Sequence, residues 1–259
     1  MKTLLLLLAI LLAASPALAQ EQTGRDYRVR VGLGAQVRPE FIGADDREVA
    51  PLFDVDIARG DELFRVDSPD DSFVLRLIST DKFTAGPAAN IESSRSNSDV
   101  GAPVGKVPTT FEAGAFAEFQ PSDAFRFRGE LRKGIGGHEG LVGSAGGDFI
   151  ARDGDRYVVT IGPRLLFSDA KYQQAYFGVD PAASLATGLP AYRPDSGLHA
   201  VALTSGLSYQ FNSRFGLFGY ARAERLVGDA ARSPIVREFG SRNQLSAGAG
   251  LSYTFTIRR

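Results

Sequence analysis

Residues 27–38 read YRVRVGLGAQVR and alternate without a break. Tyr27, Val29, Val31, Leu33, Ala35 and Val37 fall on one face of an extended chain. Arg28, Arg30, Gly32, Gly34, Gln36 and Arg38 fall on the other. The same division recurs at Phe125, Phe127 and Leu131 against Arg126, Arg128, Glu130 and Arg132, and at Val201, Leu203, Leu207, Tyr209 and Phe211 against their small or polar neighbours. Tyr157–Phe167 repeats it, and Leu251, Tyr253 and Phe255 close the series against Gly250, Ser252 and Thr254. These runs are roughly 9–13 residues long, the length a tilted strand needs to cross a bilayer, whereas soluble strands more often have about five or six. Glycine, serine, arginine and glutamate on the second face suit a narrow lumen filled by side chains and ion pairs.

The connections alternate too. Ser79-Thr80-Asp81, Pro121–Ala124, Arg152–Asp155 and Asn212–Arg214 read as tight turns, and the links at 91–108, 134–140, 168–197 and 227–243 are longer. Short turn, long loop, short turn is the plan of an outer-membrane barrel with short turns toward the periplasm. The fold class is therefore all-β, a transmembrane antiparallel barrel of about 12 strands, with 10 to 14 as the range. Reaching 12 counts Glu62–Val66 as a strand beside Phe73–Ile78 and Phe83–Asn90, and Tyr172–Val179 is a further candidate. The 91–108 link, containing SSRSNSDVGAP, is read as a mobile loop with no hydrophobic face.

Composition agrees and narrows the function. Met1–Ala19 has a basic start at Lys2, an apolar run of about 11 residues and an Ala17-Leu18-Ala19 cleavage signal, too short for a membrane helix of about 20. It is read as a cleaved signal peptide, leaving residues 20–259 as one barrel domain. Removing Lys2 leaves 28 basic against 30 acidic residues, so nucleic acid is not an expected partner. The absence of cysteine excludes disulfides, thiol nucleophiles and Cys-ligated metals. The chain has 18 phenylalanines and 8 tyrosines to form interfacial belts, and no tryptophan.

No catalytic or cofactor set emerges. His138 reads as a turn residue and His199 as a strand-end residue. The Ser79–Lys82 and Ser168–Lys171 patterns resemble an acyl-enzyme motif, but both lie at strand ends and lack its partner motifs. Gly134-Ile135-Gly136-Gly137-His138 fails the dinucleotide spacing because position 139 is Glu. Asp54 and Asp56 share a strand face and are expected to pair with lumen arginines such as Arg28, Arg30, Arg126 and Arg128. Arg225, Asp229 and Arg232 are placed to order a loop through charge-assisted bonds.

Five segments resemble a known family. Pro39-Glu40-Phe41-Ile42-Gly43-Ala44-Asp45 is similar to its opening stretch, with Pro39, Phe41, Gly43 and Asp45 matching. Gly137, His138 and Gly140 match its G-H-x-G turn. The run from Phe167 to Val179 is similar to its most specific segment, at Tyr172, Tyr176, Phe177, Gly178 and Val179. Tyr192 and Gly197 belong to a fourth segment, and Arg225, Leu226, Gly228, Asp229, Ser233 and Pro234 to a fifth. Together they resemble the MipA/OmpV family, MltA-interacting outer-membrane proteins of Gram-negative bacteria. One departure is the ending, where Thr256-Ile257-Arg258-Arg259 follows the aromatic Phe255.

The resemblance implies a barrel set in outer-membrane lipid, and a non-enzymatic scaffold joining a periplasmic lytic transglycosylase to a murein synthase. A narrow porin-like channel, or a surface adhesion or immunogenic barrel, is the alternative. A hydrolase built on His138 or His199 is the third option. No cofactor is implied.

Overall fold

A computed structural model describes residues 26–258; the expected signal peptide at 1–19 lies outside them. Twelve strands run through the described residues: β1 (Tyr27–Pro39), β2 (Arg47–Arg59), β3 (Phe73–Val74), β4 (Ile78–Ser79), β5 (Phe83–Glu92), β6 (Thr110–Ser122), β7 (Phe125–Ile135), β8 (Leu141–Asp153), β9 (Tyr157–Ser168), β10 (Gly197–Gln210), β11 (Phe215–Leu226) and β12 (Asn243–Ile257). Five short helices occupy the long connections: α1 (Asn97–Val100), α2 (Ala170–Phe177), α3 (Pro181–Thr187), α4 (Gly228–Arg232) and α5 (Pro234–Phe239).

All strands belong to one antiparallel sheet in the order β2-β1-β12-β11-β10-β9-β8-β7-β6-β5-β3, with β4 also on β5. The first and last long strands pair, Tyr27 opposite Ile257 and Val37 opposite Ala247, and the sheet curls into a membrane barrel. The two-faced periodicity puts apolar residues outward: Leu33 and Leu251 are 63% and 69% exposed. The polar face turns inward, with Arg126 and Glu112 at 1%. This inside-out distribution is stable where the outer solvent is hydrocarbon. Asp54 and Asp56 reach Arg30, Asp54 at 3.8 Å, while Arg28 turns instead to Asp155 at 3.0 Å.

Glu62–Val66 is not a strand. Its backbone groups bond to side chains rather than to a neighbouring strand. Phe64 N–H donates to Asp155 at 3.0 Å, Phe64 C=O accepts from Arg152 at 2.7 Å, and Val66 C=O accepts from Arg126 at 3.1 Å. The Phe64 ring lies under the guanidiniums of Arg28 and Arg30, at 4.9 and 4.6 Å. Residues 60–72 thus form a plug that leaves the end of β2 and crosses the lumen.

The plug carries carboxylates to the inward arginines. Asp70 binds Arg164 at 3.0 Å and Arg222 at 2.6 Å. Asp71 takes Arg126 at 2.7 Å and lies 3.5 Å from Arg128, and Ser72 donates to Glu130 at 2.6 Å. The wall completes the network through Arg126–Asp148 at 2.7 Å and Arg128–Glu130 at 2.5 Å. On leaving the plug the chain forms only the short β3 and β4, not the continuous strand expected over 73–78.

Arg126 meets Asp71, Asp148 and Glu118 at once. Arg126→Met leaves these buried carboxylates short of a cation. It is expected to cost roughly 3–5 kcal/mol, read as a lowered urea midpoint for unfolding from lipid vesicles. An unchanged midpoint would show that the network is energetically idle.

Candidate functional site

The strand ends carrying the long connections meet in a helical lid. At the end of β9, Asp169 caps α2 by accepting from the Tyr172 N–H at 3.0 Å. The cap fixes a helix, not the strand considered for 172–179, and turns Tyr172, Gln173, Tyr176 and Phe177 inward. Tyr172 stands between the two histidines, with ring centroids 4.9 Å from His138 and 5.3 Å from His199. Burial raises the Tyr172 phenol pKa well above its ordinary value.

The G-H-x-G turn is explained by close approach. Gly137 has φ +52°, and a Cβ there would stand 1.9 Å from Thr110 Oγ1. Such a Cβ at Gly140 would lie 2.5 Å from the Tyr172 nitrogen. His138 Nδ1 accepts from the Gly140 N–H at 3.0 Å, which leaves Nε2 as the donor to Glu112 at 3.0 Å. His138 is thus the turn residue expected, held by a buried carboxylate. His199, at the start of β10, pairs with Ser168 Oγ at 3.0 Å. Both histidines are buried, and among the described residues no carboxylate is hydrogen-bonded to His199. No group of three metal-ligating side chains occurs among the described residues either. Ser79 and Ser168 lie at strand ends, as expected.

The remaining segments converge on α2. Phe41 and Leu226 are buried; Gly43, with φ +90°, packs toward Val236, Leu226 and Phe177. Pro39 ends β1, and Asp45 is exposed. Gly178 follows the helix, and Val179 exchanges backbone bonds with Tyr192 at 2.8 and 2.9 Å. Tyr192 Oη donates to the Asp229 carbonyl at 2.9 Å, and the Asp229 carboxylate accepts from the Asp195 N–H at 2.8 Å and pairs with Arg232. Arg225 takes no part in that pair; it donates to Asn243 at 2.7 Å. Gly197 and Gly228 have positive φ at 152° and 56°. Ser233 donates to the Phe177 carbonyl at 2.7 Å, and Pro234 opens α5. Four motif segments therefore pack around the fifth, although they are dispersed in the sequence.

The 91–108 connection is a correction. It is a folded part of the lid: Val100, Ala102, Val104 and Val107 are buried, and Ser96 caps α1. Its centre is Arg95, 1% exposed. Arg95 Nη1 donates to the Tyr176 carbonyl at 2.6 Å, and the guanidinium lies 6.0 and 5.9 Å from the Phe41 and Tyr176 rings. The C-terminal end of α2 carries partial negative charge, which offsets the buried cation. Burial still lowers the Arg95 pKa. A lone arginine in a Ser-rich stretch gives no periodic signal, so this role was not visible in the sequence.

The profile described as MltA-interacting protein MipA matches residues 31–255. The chain belongs to the MipA family. No curated protein sequence matches it. Among solved structures, this MipA-family chain is similar to the KdgM porin in complex with disordered oligogalacturonate, at 11% identity and TM-score 0.37, covering 90% of this chain and 99% of that one. It is also similar to an outer-membrane channel from Pseudomonas putida F1, at 9% identity and TM-score 0.41, covering 94% and 100%. OmpT of Vibrio cholerae aligns at 8% identity and TM-score 0.36, covering 93% and 100%.

Arg95 links two parts of the MipA-family lid, and its removal tests whether they hold one another. Arg95→Gln is expected to cost about 1–3 kcal/mol locally. Trypsin on intact cells should then cut after the exposed Lys106 and Lys171 several-fold faster than in wild type, while β-strand circular dichroism stays unchanged. Equal cleavage rates would mean that Arg95 does not hold the lid.

Proposed function

We propose that this barrel is a sealed, non-enzymatic anchor in the outer membrane, delivered by a cleaved signal peptide at 1–19. Its work is done by surfaces that hold periplasmic lytic transglycosylase and murein synthase. The observation that carries this reading is the plug at 60–72, which fills the lumen with charges already paired to the wall. A lid covers the other mouth. A barrel occupied in this way favours a protein that acts by contact over one that acts by passage. The family description, MltA-interacting protein, supports a partner-binding role.

The buried histidines support the same reading. Ser168–His199 and His138–Glu112 are polar pairs enclosed beneath α2, where they lock the lid. The motif residues of the five matched segments are assigned to building that lid, not to catalysis.

Two measurements test the proposal. Photo-crosslinkers at the exposed turn positions Ser122, Gly154 and Asn212 should capture a lytic transglycosylase in intact cells. A crosslinker at Leu185 on the lid, 90% exposed, should not. Failure of every turn position to capture a murein enzyme overturns the anchor. In planar bilayers the wild type should give no stable conductance steps, whereas Asp70→Asn with Asp71→Asn, which removes four carboxylate–arginine pairs between plug and wall, should. Stable wild-type steps would favour the porin-like channel instead.

A further inference from the structure

Charge pairing in the lumen breaks at one residue. Among the described residues, the inward carboxylates of the wall strands, from Glu48 on β2 to Glu224 on β11, have an arginine within ion-pair distance. Glu92 is the exception, and its carboxylate has no hydrogen bond to a side chain or backbone group there either.

Glu92 ends β5 on its inward face, opposite Thr110. It stands beyond the apolar band, because Ile91, Phe111 and Ile135 form the last outward apolar row of β5, β6 and β7. The chain passes from it into the lid, where Arg95 is buried. Glu92 therefore sits at the junction of wall and lid.

The groups around it leave it no cation. From β1, Arg38 holds Glu48 at 2.8 Å; from β7, Arg132 holds Glu112 at 2.9 Å; on β11, Arg222 holds Glu224 at 2.5 Å. Glu112 pairs in register with Asn90, which makes it the diagonal neighbour of Glu92, with backbones about 7–8 Å apart. Glu112 is itself held by His138 at 3.0 Å. From above, α2 presents Tyr172 and Tyr176. Burial raises both phenol pKa values, and Glu92 is the charge that adds most to each. Enclosure, and then Glu112, lift the Glu92 carboxyl from 4.5 to about 7, against the pull of Arg132 and Arg38.

We propose that Glu92 is a proton-operated latch for the lid: its neutral carboxyl keeps α2 seated on the wall, and its ionisation loosens α2. An unpaired charge there is costly only while α2 keeps water away, so the ionised form favours the open lid. The carboxyl pKa is raised in the closed state. The latch is thus complete below pH 4.5 and is lost as pH rises through about 7. It does not rest on the anchor reading, because a lid can loosen over a plugged or an empty lumen alike.

Hydrogen exchange of the full chain folded in detergent tests it, read by mass spectrometry on peptides covering α2. Rates are taken at about pH 5 and about pH 8 and corrected for the intrinsic pH dependence of amide exchange. In wild type the open population of α2 should be at least tenfold larger at the higher pH. Glu92→Gln should exchange slowly at both, and Glu92→Ala serves as a second neutral variant with the same flat profile. Glu92→Asp should keep the pH dependence. All three should keep wild-type heat-modifiable migration on gels. The proposal is overturned if corrected wild-type exchange does not change with pH, or if it slows at the higher pH. It is also overturned if the neutral variants keep the wild-type dependence, which would assign the titration to another group such as His138.

Discussion

The structure depends on the pairing of charges across a lumen. A barrel whose outer face meets lipid must turn its polar residues inward, and arginines enclosed there require anions within reach. The wall supplies Asp54, Asp56, Glu112, Glu118, Glu130, Asp148 and Glu224. Arg164 meets Asp148 and Arg222 meets Glu224, and Asp70 of the plug bridges the two arginines. The plug therefore adds counter-charge to the wall's own. Its path follows from that demand: its backbone is hydrogen-bonded by Arg152 and Arg126 as it passes, and its carboxylates end where guanidiniums converge.

The lid obeys the opposite chemistry. Past the ends of the strands the chain builds a small hydrophobic core of Tyr172, Tyr176, Phe177, Leu226, Ala230 and Val236. A second cluster joins Phe41, Val100, Val104, Val179 and Ile235. Packed aromatics of this kind fix one arrangement of loops that would otherwise be free. Three of the polar groups beneath it are satisfied locally: His138 by Glu112, Ser233 by the end of α2 and Tyr192 by Asp229. The barrel is thus closed by ion pairs within and by apolar packing above.

The wall was legible because its signal is periodic. Tyr27–Val37 and Phe125–Arg132 declare their two faces residue by residue, and their registers follow. The plug was not legible for the same reason. Glu62-Leu63-Phe64-Arg65-Val66 has the apolar content and length of a short strand, but the partners of its backbone are side chains far off in sequence, Asp155 and Arg152 among them. Periodicity reports which face a residue prefers and says nothing about what bonds the backbone. The lid was legible in part. Its matched segments, notably Gly137 to Gly140 and Tyr172 to Val179, were visible as motifs. Their convergence, and Arg95 at the centre of a stretch expected to be mobile, depend on contacts that only the folded chain creates.

The plug also accounts for the weakest part of the wall. Because the chain leaves β2 at Arg59 and spends 60–72 inside the lumen, it rejoins the wall partway along β5. Only β3 and β4 form there, opposite Ala88–Ala89 and Thr84–Ala85. Among the described residues no strand pairs with the outer edge of β2, which at membrane depth would ordinarily be costly. The residues beside this edge moderate the cost. Pro51 lacks an N–H, and its carbonyl accepts from Gln36 at 2.9 Å. Within the lumen, Arg30 gathers Asp54 and Asp56, while Arg76 holds Asp67 of the plug at 2.6 Å. Arg30 thus ties β2 to β1, and Arg76 ties the plug to the segment between β3 and β4, so the plug is anchored by an ion pair beside the stretch where the backbone ladder is missing.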